Sequence, residues 1–102
     1  MEDTEAEAVT DLRALIETAE QTVHQIQEAV RAYRVVLEML EHGSSVRDSL
    51  AAGDVAEVRQ AVTMAIAELE IARKTSRVSL MRADVADGAS LKSVSGTWGV
   101  SR

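Results

Sequence analysis

Two carboxylate–histidine pairs are the first candidates for chemistry: Glu20 with His24, and Glu38 with His42. A diiron centre in a helical bundle draws a glutamate and a histidine three residues apart, so that both ligands leave one helix face toward one metal. In both pairs here the separation is four, and both histidines fall on the outer side of the helix. The chain has no cysteine, so it offers neither a thiolate ligand nor a disulfide. Glu68 and Glu70 are two apart on a helix, so they point to different sides and cannot act as one acid/base pair. Two histidines far apart leave few parts for a nucleophilic triad. Ser44, Ser45 and Ser90 stand in turns, where capping accounts for them. The glycines are scattered and form no phosphate-cradling loop. These residues predict no enzyme, no cofactor, no bound metal and no small-molecule ligand. Tyr33 and Trp98 read as packing residues.

The elements that carry these side chains are long helices. Proline is absent, and alanine, valine, leucine and glutamate dominate, so nothing breaks a helix once it starts. Thr4 to Glu7 is a capping-box pattern that opens a first helix over about Glu5 to His42, with Gly43 as its stop. Along it Val9, Leu12, Ile16, Ala19, Val23, Ile26, Val30, Tyr33, Leu37 and Leu40 alternate three and four apart. At ~1.5 Å per residue such a helix exceeds ~50 Å, and its apolar stripe needs a partner. Ala8, Leu15, Thr22, Ala29 and Val36 precede the first residue of each heptad and widen the apolar face. That width favours a bundle over a two-stranded zipper.

Gly43 to Ser45 reads as a turn, Val46 to Ala52 as a short helical piece, and Gly53-Asp54 as a second break. A last long helix follows to about Ala86, stopped by Gly88. Its stripe is Val55, Val58, Val62, Ala65, Leu69 and Ala72, and after Ser76 the register is expected to slip by one to Leu80 and Ala83. Met64, Ile71, Val78 and Val85 form a second stripe at strict seven-residue spacing. A helix apolar on two sides is covered on two sides, and a second copy of the chain can supply the second cover. The expected core is Leu12, Ile16, Val23, Ile26, Val30, Tyr33, Leu37, Leu40, Val58, Val62, Leu69, Ile71 and Val78.

Charge is unevenly placed along a chain of net −6. Residues 1–42 hold ten acidic and three basic side chains, whereas six bases face only Asp84 and Asp87 from Arg73 onward. Phosphate contact needs positive charge, so only the C-terminal third suits a nucleic-acid backbone. The acidic start argues against a secretory leader, and no apolar run approaches the ~20 residues that span a bilayer. A cytoplasmic location with no membrane partner is the expectation.

The last dozen residues, Leu91 to Arg102, place Val94, Trp98 and Val100 at a spacing that turns all three inward from a helix and a tight turn. Ser90 is a candidate N-cap, Gly99 a left-handed stop, and Ser101 the cap of a following helix. This segment, Asp87 to Arg102, resembles the helix-turn-helix of bacterial transcriptional regulators, in which a Gly-Val-Ser-Arg turn leads into the recognition helix. Ser95 stands where alanine is usual, and Trp98 where an aliphatic residue is usual. The resemblance implies that Val94, Trp98, Gly99 and Val100 form the motif's core. It places Lys92, Ser101, Arg102 and Arg82 near DNA, and puts the base-reading helix after Arg102.

Together these features predict an all-α fold. Two long antiparallel helices pair into a homodimeric four-helix bundle or coiled coil, and a short C-terminal helix follows. Residues 1–87 would be a helical oligomerisation domain and residues 88–102 the first helix and turn of a helix-turn-helix. The function this implies is the dimerisation module of a DNA-binding transcriptional regulator, with itself as partner and little or no DNA affinity in this segment alone. The alternative is a helical protein–protein adaptor with no DNA role.

Overall fold

A computed structural model describes residues 3–99 of the chain. Val100, Ser101 and Arg102 lie outside the described residues. The described residues form four helices and no strand: α1 (Asp3–Glu41), α2 (Val46–Ala52), α3 (Val55–Ala86) and α4 (Leu91–Trp98).

Local chemistry sets each boundary. Asp3 and Glu5 lie in the first turn of α1, where the helix dipole favours negative charge. At its other end His42 Nδ1 is 2.7 Å from the Glu38 carbonyl oxygen, and Gly43 takes a φ of +91°. Left-handed backbone there lets the Gly43 and Ser44 N–H groups donate back to Leu40 and Met39. Ser45 caps α2 by accepting from the Asp48 N–H at 3.1 Å. Ser90 caps α4 in the same way, accepting from the Ser93 N–H at 3.1 Å.

The chain divides into two compact units. One joins Met1–Ile16 to Glu70–Arg102, and the other is Glu17–Leu69. In the first, the start of α1 runs antiparallel to the end of α3. The Ser79 hydroxyl donates to the Asp11 carboxylate, and Arg82 lies 4.0 Å from Glu7. Ala8, Ser76 and Ser79 are buried between the two helices, and Val94 of α4 is buried as well. In the second unit the Thr22 hydroxyl donates to its own helix at Thr18, 2.9 Å away, and lies 3.4 Å from the Ala65 carbonyl of α3. Ala29, Ala32 and Ser49 are buried there.

The residues covered in this way trace one rule. On α1 they are Ala8, Asp11, Leu15, Thr18, Thr22, Gln25, Ala29, Ala32, Val36 and Met39, all buried or half-buried and alternately three and four apart. On α3 they are Val55, Val58, Val62, Ala65, Leu69, Ala72, Ser76, Ser79 and Ala83, with the same alternation throughout. The register slip expected after Ser76 does not occur, because serines hold the seam where an apolar reading skips them. Small side chains dominate both rows, which lets the helix backbones approach closely.

Candidate interaction surface

Each residue along an α-helix turns ~100°, so a row one position later than the seam lies on the adjacent face. On α1 that later row is the one the sequence marks as core. Leu12 and Ile16 in the first unit, and Val23, Ile26, Val30, Tyr33, Leu37 and Leu40 in the second, are all exposed. Val23 is 53% exposed and Leu37 57%, while Thr22, one residue before Val23, is 4% exposed. Within one chain, therefore, these eight residues of the expected α1 core keep about half their surface open to solvent. On α3 the expected core divides. Val58, Val62 and Leu69 are half-buried in the seam, whereas Ile71 and Val78 are exposed, as are Met64 and Val85 of the same seven-residue stripe.

The terminal helix supplies a second feature. Val94 is 4% exposed and faces a groove of about 420 Å³ lined by Val78, Met81, Val85 and Leu91. Trp98 is 38% exposed and does not share that burial. Its ring borders a cleft of about 240 Å³ with Arg73, Lys74, Arg77 and Glu70 on one side. On the other it borders a groove of about 490 Å³ with Val9, Leu12, Leu80 and Ala83. Of the inward trio expected of α4 and its turn, Val94 is buried and Trp98 stands at the rim, while Val100 lies outside the described residues. Gly99 adopts the left-handed conformation expected of it, at φ +64°.

Lys92 is exposed. Arg82 is exposed too, with part of its charge directed at Glu7 4.0 Å away. Ser101 and Arg102 lie outside the described residues. Arg73, Lys74 and Arg77 gather around Trp98, with Arg73 bound to Glu70 at 3.0 Å. Their one-and-four spacing is legible on a helix, but nothing in sequence says that the tryptophan joins them.

No group of three or more metal-ligating side chains converges among the described residues. His42 is engaged with the end of its own helix. No helix of the described residues is long and apolar enough to cross a membrane. The Asp54 side chain hydrogen-bonds Glu57 and repels its charge, which raises the Glu57 pKa from its ordinary value. Both groups sit at the exposed start of α3 and border no cavity described above.

Comparison with known proteins finds no matching family, no matching curated protein and no matching solved structure. What the chain presents is a surface: a row of large aliphatic side chains beside a seam made mostly of small ones.

Proposed function

We propose that this protein is a self-associating helical module whose α1 face packs against a second copy. One observation carries the reading. Eight large side chains of α1, at the spacing of a packed helix face, are exposed, while the residues one position earlier form the seam. A regular apolar row of this size on a water-soluble helix marks an interaction site. Sealing eight half-exposed side chains on each of two copies is worth on the order of 15 kcal/mol gross. That is comparable to the estimated cost of bringing two molecules together, about 4–15 kcal/mol. Association should therefore respond to single replacements. Light scattering coupled to size exclusion tests this: the chain is expected to elute as a dimer at micromolar concentration. Ile26→Asp, which leaves the seam untouched, is expected to elute as a monomer of unchanged helicity. A wild-type monomer at 100 micromolar (about 1 mg/ml, where a marginal dimer would still form) would end the proposal.

A second reading extends the first, and α4 favours it. What supports it is an eight-residue helix capped by Ser90, with Val94 buried and Gly99 left-handed, features that the first helix of a helix-turn-helix would need. On this reading the dimer is the assembly end of a DNA-binding regulator, and two-fold symmetry sets the spacing of its two groove helices. Gel shift tests it, with a chain that carries the source gene's codons past Arg102. Low-salt binding to genomic fragments supports the regulator, and no shift leaves a protein–protein adaptor. Residues 1–102 alone should bind DNA no tighter than about a micromolar, the strong end of non-specific affinity.

A further inference from the structure

The exposed row of α1 is flanked on its outer side by Arg13, Glu20, Gln27, Arg34 and Glu41, one per heptad. All five are exposed. Among the described residues none of these four charges forms an ion pair within the chain, although Glu28 and Arg31 on the same helix do pair. In paired helices the charges flanking the apolar seam set partner and orientation. The order here, plus, minus, neutral, plus, minus, is its own complement when read backward. Turned end to end about Gln27, Arg13 meets Glu41 and Glu20 meets Arg34. A shift of one heptad either way brings Arg13 to Arg34, or Glu20 to Glu41, which are like charges. In a parallel pair this flank would face the row Ala8, Leu15, Thr22, Ala29 and Val36, which carries no charge.

We infer that α1 pairs antiparallel with α1 of a second copy, about a two-fold axis close to Gln27, with Glu20 facing Arg34 and Arg13 facing Glu41 across the interface. The inference rests on the self-association proposed above and adds its direction and register. A two-fold axis makes the contact reciprocal, so each charge pair occurs twice. One reversal therefore replaces two attractions by two repulsions.

Arg34→Glu is expected to weaken the dimer about tenfold in sedimentation equilibrium at low salt. The double reversal Glu20→Arg with Arg34→Glu is expected to restore it to within about threefold. A purely local effect of the reversed charge at position 34 on its own helix would not be rescued by a change at position 20. Because the chain has no cysteine, orientation can be read directly. Glu20→Cys and Arg34→Cys proteins are mixed, allowed to exchange, and treated with a short bismaleimide. The mixed 20–34 product is expected to dominate. A dimer in which 20–20 and 34–34 products dominate, or in which Arg34→Glu changes nothing, overturns the antiparallel register while leaving self-association intact. A wild-type monomer removes both.

Discussion

Gly53 lies so close to Val36 that a methyl group on its α-carbon would stand 2.7 Å from the valine Cγ2. The same methyl would come within 2.9 Å of the Ala32 carbonyl oxygen, which belongs to α1 and cannot swing aside. The φ of Gly53 is −82°, open to any residue, so proximity rather than backbone angle selects glycine. Two neighbours reinforce the corner. Ser49 is fully buried, and its hydroxyl donates to the Ser45 carbonyl at 2.7 Å.

Gly53→Ala should therefore cost about 1–3 kcal/mol, the usual penalty for forcing extra volume into a packed contact. Urea denaturation followed by circular dichroism measures it. Unchanged stability would mean that the α2–α3 corner shifts away from α1 at no cost.

Ser76 is 1% exposed, and its hydroxyl has no hydrogen-bond partner. A buried hydroxyl without a partner forfeits its hydration and gains nothing in return. Ser76→Ala removes the oxygen without adding volume, and is expected to stabilise the fold by about 1 kcal/mol. A lower midpoint in thermal unfolding would contradict this and show that the hydroxyl finds an acceptor in solution.

One turn further along α3, Ser79 is buried too, but its hydroxyl has two acceptors within reach, the Asp11 carboxylate and the Thr75 carbonyl. The two serines of one seam should therefore respond oppositely. Ser79→Ala and Asp11→Ala are each expected to lose about 1–2 kcal/mol, because each leaves a polar partner behind. The double variant is expected to lose clearly less than the sum, since no polar group is then stranded. Strict additivity would show that the two side chains do not interact.

These serines also explain what could and could not be read from the chain. The ends of α1, α2, α3 and α4 are legible to within two residues, because Gly43, Gly88, Ser45 and Ser90 act through local geometry. The row that forms the seam is not legible. Two rows run along α1 one position apart, and the row with leucine, isoleucine and tyrosine looks the more buried. Hydropathy ranks Ala8, Thr22 and Ala29 below Val9, Val23 and Val30, yet the smaller residues permit the closer helix approach. Asp11, Gln25, Ser76 and Ser79 count against burial in any apolar reading. Asp11 and Ser79 are tolerated because they bond each other across the seam, Gln25 because it is only half-buried, and Ser76 at the cost of an unpartnered hydroxyl. The surroundings of Trp98 are hidden for another reason. Its neighbours Arg73, Lys74 and Arg77 lie far back in sequence, and only the packing of α4 on α3 brings them to it.

The corner also holds a carboxyl pair. Asp54 has a φ of +51°, a left-handed conformation that asparagine tolerates about as well, and its side chain raises the pKa of Glu57. A carboxyl whose folded pKa is raised binds its proton more tightly in the native state. That contribution to stability is present at low pH and lost as pH rises from the usual carboxylate range through the raised value. Asp54→Asn removes the facing charge while keeping the backbone angle. The Glu57 midpoint is expected to move down toward the ordinary glutamate value in a carboxyl-detected NMR titration. The variant is also expected to gain on the wild type in stability as pH rises from the usual carboxylate range. Glu57 is fully exposed, so the shift of the midpoint is the decisive reading. Identical Glu57 titrations in the two proteins would mean that Asp54 does not face it in solution.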